Sequence, residues 1–232
     1  MLKSYCMTNN QNATLSVILT GATGMVGEGV LHECLQHPSV EKVLVLTRKP
    51  CGINHPKLKE IIHANFFDIQ PLEEQLTGYN SCFFCLGVSS VGMDEEKYFQ
   101  ATYILTTHFA QTLAALNPGM TFCYVSGAGT DSTEKGKRMW ARIKGKTENA
   151  LVKLPFKKVY NFRPGIIEPT KGLKNTLSFY KYLGWLLPVI RFLLPRYISS
   201  LKQLGMAMIN ASSHGYEKDI LEIPDIIKLA KS

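Results

Sequence analysis

The run Leu15 to Gly27, LSVILTGATGMVG, constrains this chain more than any other stretch. Ser16 to Thr20 read as a buried strand. Gly21-Ala-Thr-Gly24-Met-Val-Gly27 then breaks it, and Val26, Val30, Leu31, Cys34 and Leu35 follow at helical spacing. Gly21 permits a tight turn out of the strand, Gly24 lets a pyrophosphate approach the backbone, and Gly27 lets the helix pack closely on the sheet. The unpaired N–H groups and positive dipole end of that helix then face the phosphates. A glycine triplet alone would equally suit a steric corner, so the flanking strand and helix carry the reading. They predict nucleotide binding through Gly21, Thr23, Gly24, Met25, Val26 and Gly27.

Strand and helix patterns alternate regularly from there to Gly165. Strands are expected at Lys42 to Leu46, Leu58 to Ala64, Ser81 to Leu86, Met120 to Ser126 and Lys158 to Phe162. Long helical stretches run from Asp94 to Leu116 and from Met139 to Leu154. This predicts an α/β fold, a doubly wound Rossmann-like parallel sheet in a single domain, with its ligand crevice at the strands' C-terminal ends. The second strand ends in Thr47-Arg48-Lys49-Pro50 without a carboxylate. An acidic residue there would hold a ribose 2′-hydroxyl, whereas an arginine suits a 2′-phosphate, so Arg48 predicts NADP(H) over NAD(H). A solvated basic strand end is the plainer alternative. Asn65 and Phe66, just past the third strand, are expected in the adenine pocket. Leu86 and Gly87 end the fourth strand where the backbone runs close to a cofactor.

At 232 residues and 45% hydrophobic content the chain supports one sizeable core. The net charge of +8 comes from scattered Lys and Arg residues, which suits a basic protein holding an anionic cofactor. No helix-turn-helix, zinc or aromatic-platform signature accompanies the charge, so no nucleic-acid partner is expected. Six cysteines without a secretory leader suggest reduced thiols and a cytoplasmic protein. Cys82 and Cys85 sit three apart on a strand and so point to opposite faces, which argues against a shared metal. Residues 1–14 lack an apolar targeting core and read as a frayed tail ahead of a domain spanning 15–232.

Residues 170–232 read as a mostly helical, substrate-side segment. Thr170 to Pro195 carries too many large apolar groups, among them Leu177, Phe179, Tyr182, Trp185 and Phe192, for one helical stripe. The part from 176 to 195 must be covered by something: the substrate end of the crevice, a second copy in a homodimer, or a membrane surface in peripheral contact. Ser199 or Ser200 is expected to cap a helix through about Ala211. Ile220 to Ile223 reads as one more short strand before a terminal helix.

With Gly21-x-x-Gly24-x-x-Gly27, the Ser126 strand end, Lys144 and Arg163-Pro164-Gly165 in that order, the chain resembles an atypical short-chain dehydrogenase/reductase. It is similar to the small members related to sugar-nucleotide epimerases and to the Tat-interacting-protein oxidoreductases. The resemblance implies an oxidoreductase acting on a small carbonyl or sugar-nucleotide substrate. It implies that Ser126 hydrogen-bonds a substrate carbonyl, that Lys144 binds the nicotinamide ribose, and that backbone groups of Arg163, Pro164 and Gly165 meet the carboxamide. The family pairs its lysine with a tyrosine four residues earlier, whose phenol exchanges the proton; here Trp140 stands there. An indole N–H donates a hydrogen bond but has no accessible pKa. The alternative implied by that substitution is a nucleotide-binding sensor or interaction protein that has lost chemistry.

Overall fold

The computed structural model describes residues 14–175 and 198–232. The expected tail (1–13) and most of the apolar segment (176–197) lie outside the described residues. Seven parallel strands form the central sheet: β1 (Leu15–Thr20), β2 (Val40–Thr47), β3 (Leu58–Ile62), β4 (Ser81–Phe84), β5 (Thr121–Val125), β6 (Lys158–Arg163) and β9 (Ile220–Glu222). Their order is β3-β2-β1-β4-β5-β6-β9, so the chain leaves β1 in one direction and returns past it in the other. The crevice at that reversal is where α/β sheets of this order hold ligands. Every side chain of β1 is buried, as a central parallel strand covered on both faces requires.

One face of the sheet is covered by α1 (Met25–Gln36), α6 (Leu201–His214) and α7 (Ile223–Leu229) around Val17, Leu19, Val30, Leu31, Leu204 and Met208. The other carries α2 (Glu73–Leu76), α3 (Glu95–Phe99), α4 (Leu105–Leu116) and α5 (Met139–Leu151) around Ile18, Leu44, Phe84, Phe109, Phe122 and Leu151. Cys82 belongs to this second core and Cys85 packs against the first, so the two thiols do face opposite ways. Burial pushes both well up from their ordinary value.

Two departures from the sequence reading and one expectation made more specific bear on the site. The expected single helix over 94–116 contains a π turn at Gln100–Ile104 between α3 and α4. A separate two-stranded parallel sheet pairs β7 (Ile166–Glu168) with β8 (Ile198–Ser200), which no periodicity signalled. Ser200 then caps α6 through a reciprocal pair with Gln203, so the expected cap falls on the second of the two serines.

Candidate active site

The glycine corner is built by sterics. Gly21 has φ +77°, and a Cβ there would lie 2.7 Å from the Cys85 carbonyl carbon and 2.8 Å from Leu86 N. A Cβ on Gly27 would lie 2.1 Å from Gly21 O, so the first turn of α1 closes only with glycine at that place. Gly24 is the N-cap and offers no side-chain cap, leaving the first N–H groups of a 12-residue helix for something else. Thr23 and Gly24 are exposed, and Met25 and Val26 half-buried. A cradle that excludes Cβ atoms, opening on an uncapped helix end, suits a phosphate linker.

Gly21 touches the end of β4, and from there a cavity of about 390 Å³ opens on the side away from β5. Its walls bring together Arg48, Asn65 and Phe66, expected at the adenosine end of a dinucleotide, with Leu86 and Gly87, expected where the backbone runs close to a cofactor. Gln100 and Ala101 of the π turn form the opposite wall; π turns within α-helices occur often at functional sites. Phe66 is only 4% exposed and stacks on Phe109 at 6.1 Å, so it belongs mainly to the core and lends the cavity an edge. Arg48 is exposed at the cavity mouth.

The second group lies at the ends of β5 and β6. Lys144 projects from α5 and its Nζ donates to the carbonyl of Ser126. The position a Cβ would take on Gly127 is 4.0 Å from both Lys144 Nζ and Pro164 O, so the amine lies close to the loops that follow β5 and β6. Ala128 N donates to Pro164 O at 2.8 Å and ties the same two ends together. Burial lowers Lys144 from 10.5 to about 8, against the opposing pull of Glu148. Trp140, one turn earlier on α5, lies against the loop after β5, its ring 3.6 Å from where a Gly129 Cβ would be. That loop is fixed to the helix, since a Cβ on Gly145 would lie 1.8 Å from Asp131 O.

Two expected site residues turn their side chains inward here. The hydroxyl of Ser126, a residue 5% exposed, donates to Glu148 Oε1 at 2.5 Å, with Phe162 O a second acceptor in reach at 3.2 Å. It is turned into the protein and does not face a substrate carbonyl. Arg163 likewise points inward: Nε donates to Glu148 Oε1 at 3.0 Å, Nη2 to Glu148 Oε2 and to Ser132 Oγ, and Nη1 to Glu222 Oε1 at 3.2 Å. Burial alone would lower the guanidinium's pKa, but bonding to Glu148 and then Glu222 carries it up. Both orientations trace to Glu148, 2% exposed, a residue the sequence reading passed over. A carboxylate with that little water needs charged and hydrogen-bonding partners, and Ser126 and Arg163 are the ones it has. Pro164 and Gly165 follow directly after the inward-facing Arg163 and continue into β7.

Glu28 was also passed over. Its buried carboxylate in the first turn of α1 accepts from the N–H groups of Lys174 at 2.8 Å and Asn175 at 2.7 Å. It thereby anchors the start of the apolar C-terminal segment to the helix behind the glycine corner.

A parallel sheet in this order, with its glycine corner, uncapped helix and strand-end lysine, defines a dinucleotide-fold protein of the short-chain dehydrogenase/reductase kind. Residues 17–137, just over half of the sequence, match the NAD dependent epimerase/dehydratase family, and the chain belongs to it.

Among curated relatives, leucinostatins biosynthesis cluster protein T of Purpureocillium lilacinum is 27% identical over 227 residues, spanning 84% of this chain and 83% of its own. Protein fmp52-1, mitochondrial, of Aspergillus terreus is 27% identical over 236 residues, spanning 93% and 99%. HTATIP2 of Rattus norvegicus is 25% identical over 157 residues, spanning 66% and 62%.

The fold matches that of the Bordetella bronchiseptica enzyme WbmF in complex with NAD+, with TM-score 0.64, 15% identity, and 95% of this chain and 77% of that one covered. It also matches L-sorbose reductase of Gluconobacter frateurii complexed with NADPH and L-sorbose, with TM-score 0.63, 12% identity, and 88% and 92% covered. The expectation of a cytoplasmic protein is overturned by the fungal relatives, three of which are named as mitochondrial proteins. Reduced cysteines are compatible with more than one compartment.

Proposed function

We propose that the chain is a nicotinamide-dinucleotide oxidoreductase that prefers NADP(H) and acts on a small carbonyl or sugar-nucleotide substrate. The observation that carries this reading is the cavity that gathers Arg48, Asn65, Phe66, Leu86 and Gly87 next to the cradle of Gly21, Gly24 and Gly27. Backbone N–H groups from Thr23 to Gly27 would take the pyrophosphate, the cavity the adenine, and Arg48 a 2′-phosphate. Lys144 would hold the nicotinamide ribose, and the backbone after β6, at Pro164 and Gly165, would meet the carboxamide. The bound cofactor would supply hydride exchange. Around it, Glu148 and Arg163 hold the ends of β5 and β6 in register, so that Lys144 is presented at a fixed place. The names of the fungal relatives support a mitochondrial location.

Calorimetric titration with NADPH and NADH tests the reading. A hydrogen bond to a charged group is worth about 1.5–3 kcal/mol, so NADPH is expected to bind about 10- to 100-fold more tightly than NADH. Arg48→Glu is expected to reverse the preference, since a carboxylate there repels a 2′-phosphate and suits a ribose 2′-hydroxyl. Equal affinities in the parent protein would defeat the NADP(H) preference, and flat traces with both would defeat the cofactor assignment. The sensor alternative is favoured by Trp140, and it predicts tight binding with no oxidation of NADPH by any of a panel of carbonyl compounds.

A further inference from the structure

Among the described residues, no phenol stands one turn before Lys144 on α5. Trp140 occupies the turn of α5 before Lys144, and its indole cannot exchange a proton at neutral pH. Two described tyrosines beside α5 are enclosed. Tyr98 on α3 and Tyr124 on β5 are each 2% exposed, and burial pushes both phenols up, away from useful acidity. Glu148 is sealed behind Ser126 and Arg163. Glu95 of α3 is held by Arg142 at 2.8 Å, and Glu222 of β9 meets the far side of Arg163 at 3.2 Å. Lys144 differs from all of these. Its ammonium has three donors, and Ser126 O is the single hydrogen-bond partner of its Nζ among the described residues. A Cβ on Gly127 would lie 4.0 Å from Nζ, and the glycine leaves that side of the amine without a side chain.

Resting on the oxidoreductase reading, we propose that Lys144 is the proton donor of this site, taking the part that a phenol would otherwise play. In a reduction, the substrate carbonyl carbon accepts a hydride, two electrons and a proton's mass, from the reduced nicotinamide, which is oxidised. The carbon–oxygen π bond breaks, and the oxygen forms its new O–H bond with the proton leaving Lys144 Nζ. The neutral amine is then reprotonated from solvent, and the oxidation direction runs the same steps backwards. The near-neutral acidity that burial gives Lys144 suits this work, because an effective general acid has its pKa near the operating pH. Glu148 acts through Lys144 as a positioning residue. Four residues on along α5, it opposes the lowering that burial imposes on the amine.

Two measurements on the full chain test this separately from cofactor binding. The first uses no cofactor: competitive acetylation with acetic anhydride across pH 6–11, read lysine by lysine by mass spectrometry. Lys144 is expected to gain reactivity with a midpoint near 8, as burial dictates, well below the ordinary lysine value of about 10.4. The second follows oxidation of NADPH by 9,10-phenanthrenequinone as a carbonyl probe, after NADPH binding has been measured by calorimetry for each variant. The rate is expected to fall above about pH 8 in the parent. In Lys144→Met it should fall about 10²- to 10⁴-fold at saturating NADPH and lose that pH limb. Trp140→Tyr should restore turnover in the Lys144→Met background at least in part, by supplying a phenol one turn away. An ordinary titration of Lys144 overturns the proposal. So does a Lys144→Met rate equal to the parent's, or NADPH binding without turnover at any pH. Loss of NADPH binding by the parent would instead overturn the cofactor assignment, whatever the acetylation profile.

Discussion

At the scale of single residues, the consequential finding is the inward turn of Ser126 and Arg163. Neither could be read from the sequence, because a buried Glu148 and a solvated helix glutamate look alike in one chain; the difference lies in what the helix packs against. Lys144 was legible as a strand-end lysine, but its environment was not, and that environment makes a prediction about stability. Its pKa is lowered by folding, so between about pH 8 and 10.5 the unfolded chain binds more protons than the folded one. Stability therefore rises with pH across that window, and below pH 8 the charged side chain weighs against the fold in full. Lys144→Met removes this slope. The difference in Tm between variant and parent, apart from a constant offset for the lost hydrogen bond, should favour the variant most at pH 7 and shrink steadily towards pH 10. A difference that stays constant from pH 7 to 10 would place the ammonium in an ordinary, hydrated setting.

At the scale of elements, the central strands were legible because a strand covered on both faces must be apolar throughout, and KVLVL or SCFF can hardly be anything else in this context. The π turn and the β7–β8 pair were not. The first depends on how α3 and α4 wrap the cavity, and the second joins two three-residue strands more than thirty positions apart. The start of α6 lay between: the sequence offered two adjacent serines, and the structure uses Ser200 with Gln203. The helix sits hard on α1, for a Cβ on Gly205 would lie 2.8 Å from Glu33 Cγ. It also follows directly on β8, so its first turn fixes the chain just beyond the apolar segment. Ser200→Ala removes one partner of the capping box and should lower unfolding free energy by about 1 kcal/mol. Urea denaturation with an unchanged m-value would register it, and a loss below a few tenths of a kcal/mol would mean that packing against α1 alone holds the helix start.

At the scale of the whole molecule, a chain of net charge +8 presents a glycine corner, an exposed arginine and a half-buried lysine along one edge of its sheet. The scattered positive charge favours anionic ligands without selecting among them; selection falls to the shape of the cradle and to Arg48. Because the cradle is made by backbone that only the folded chain brings together, a dinucleotide held there stabilises the native state by mass action. At about one hundred times its Kd, NADPH should contribute about 2.7 kcal/mol. For a chain of this size, that should raise Tm by about 5–11 °C. NADH at the same concentration should raise it by less, since it fills the site to a smaller multiple of its own Kd. Arg48→Glu should cut the NADPH shift and leave the NADH shift standing. A Gly27→Ala variant, whose new methyl would meet Gly21 O, should lose both shifts together, if enough of it folds to be measured. Shifts from NADPH that persist undiminished in folded Gly27→Ala would put the ligand somewhere other than the first turn of α1.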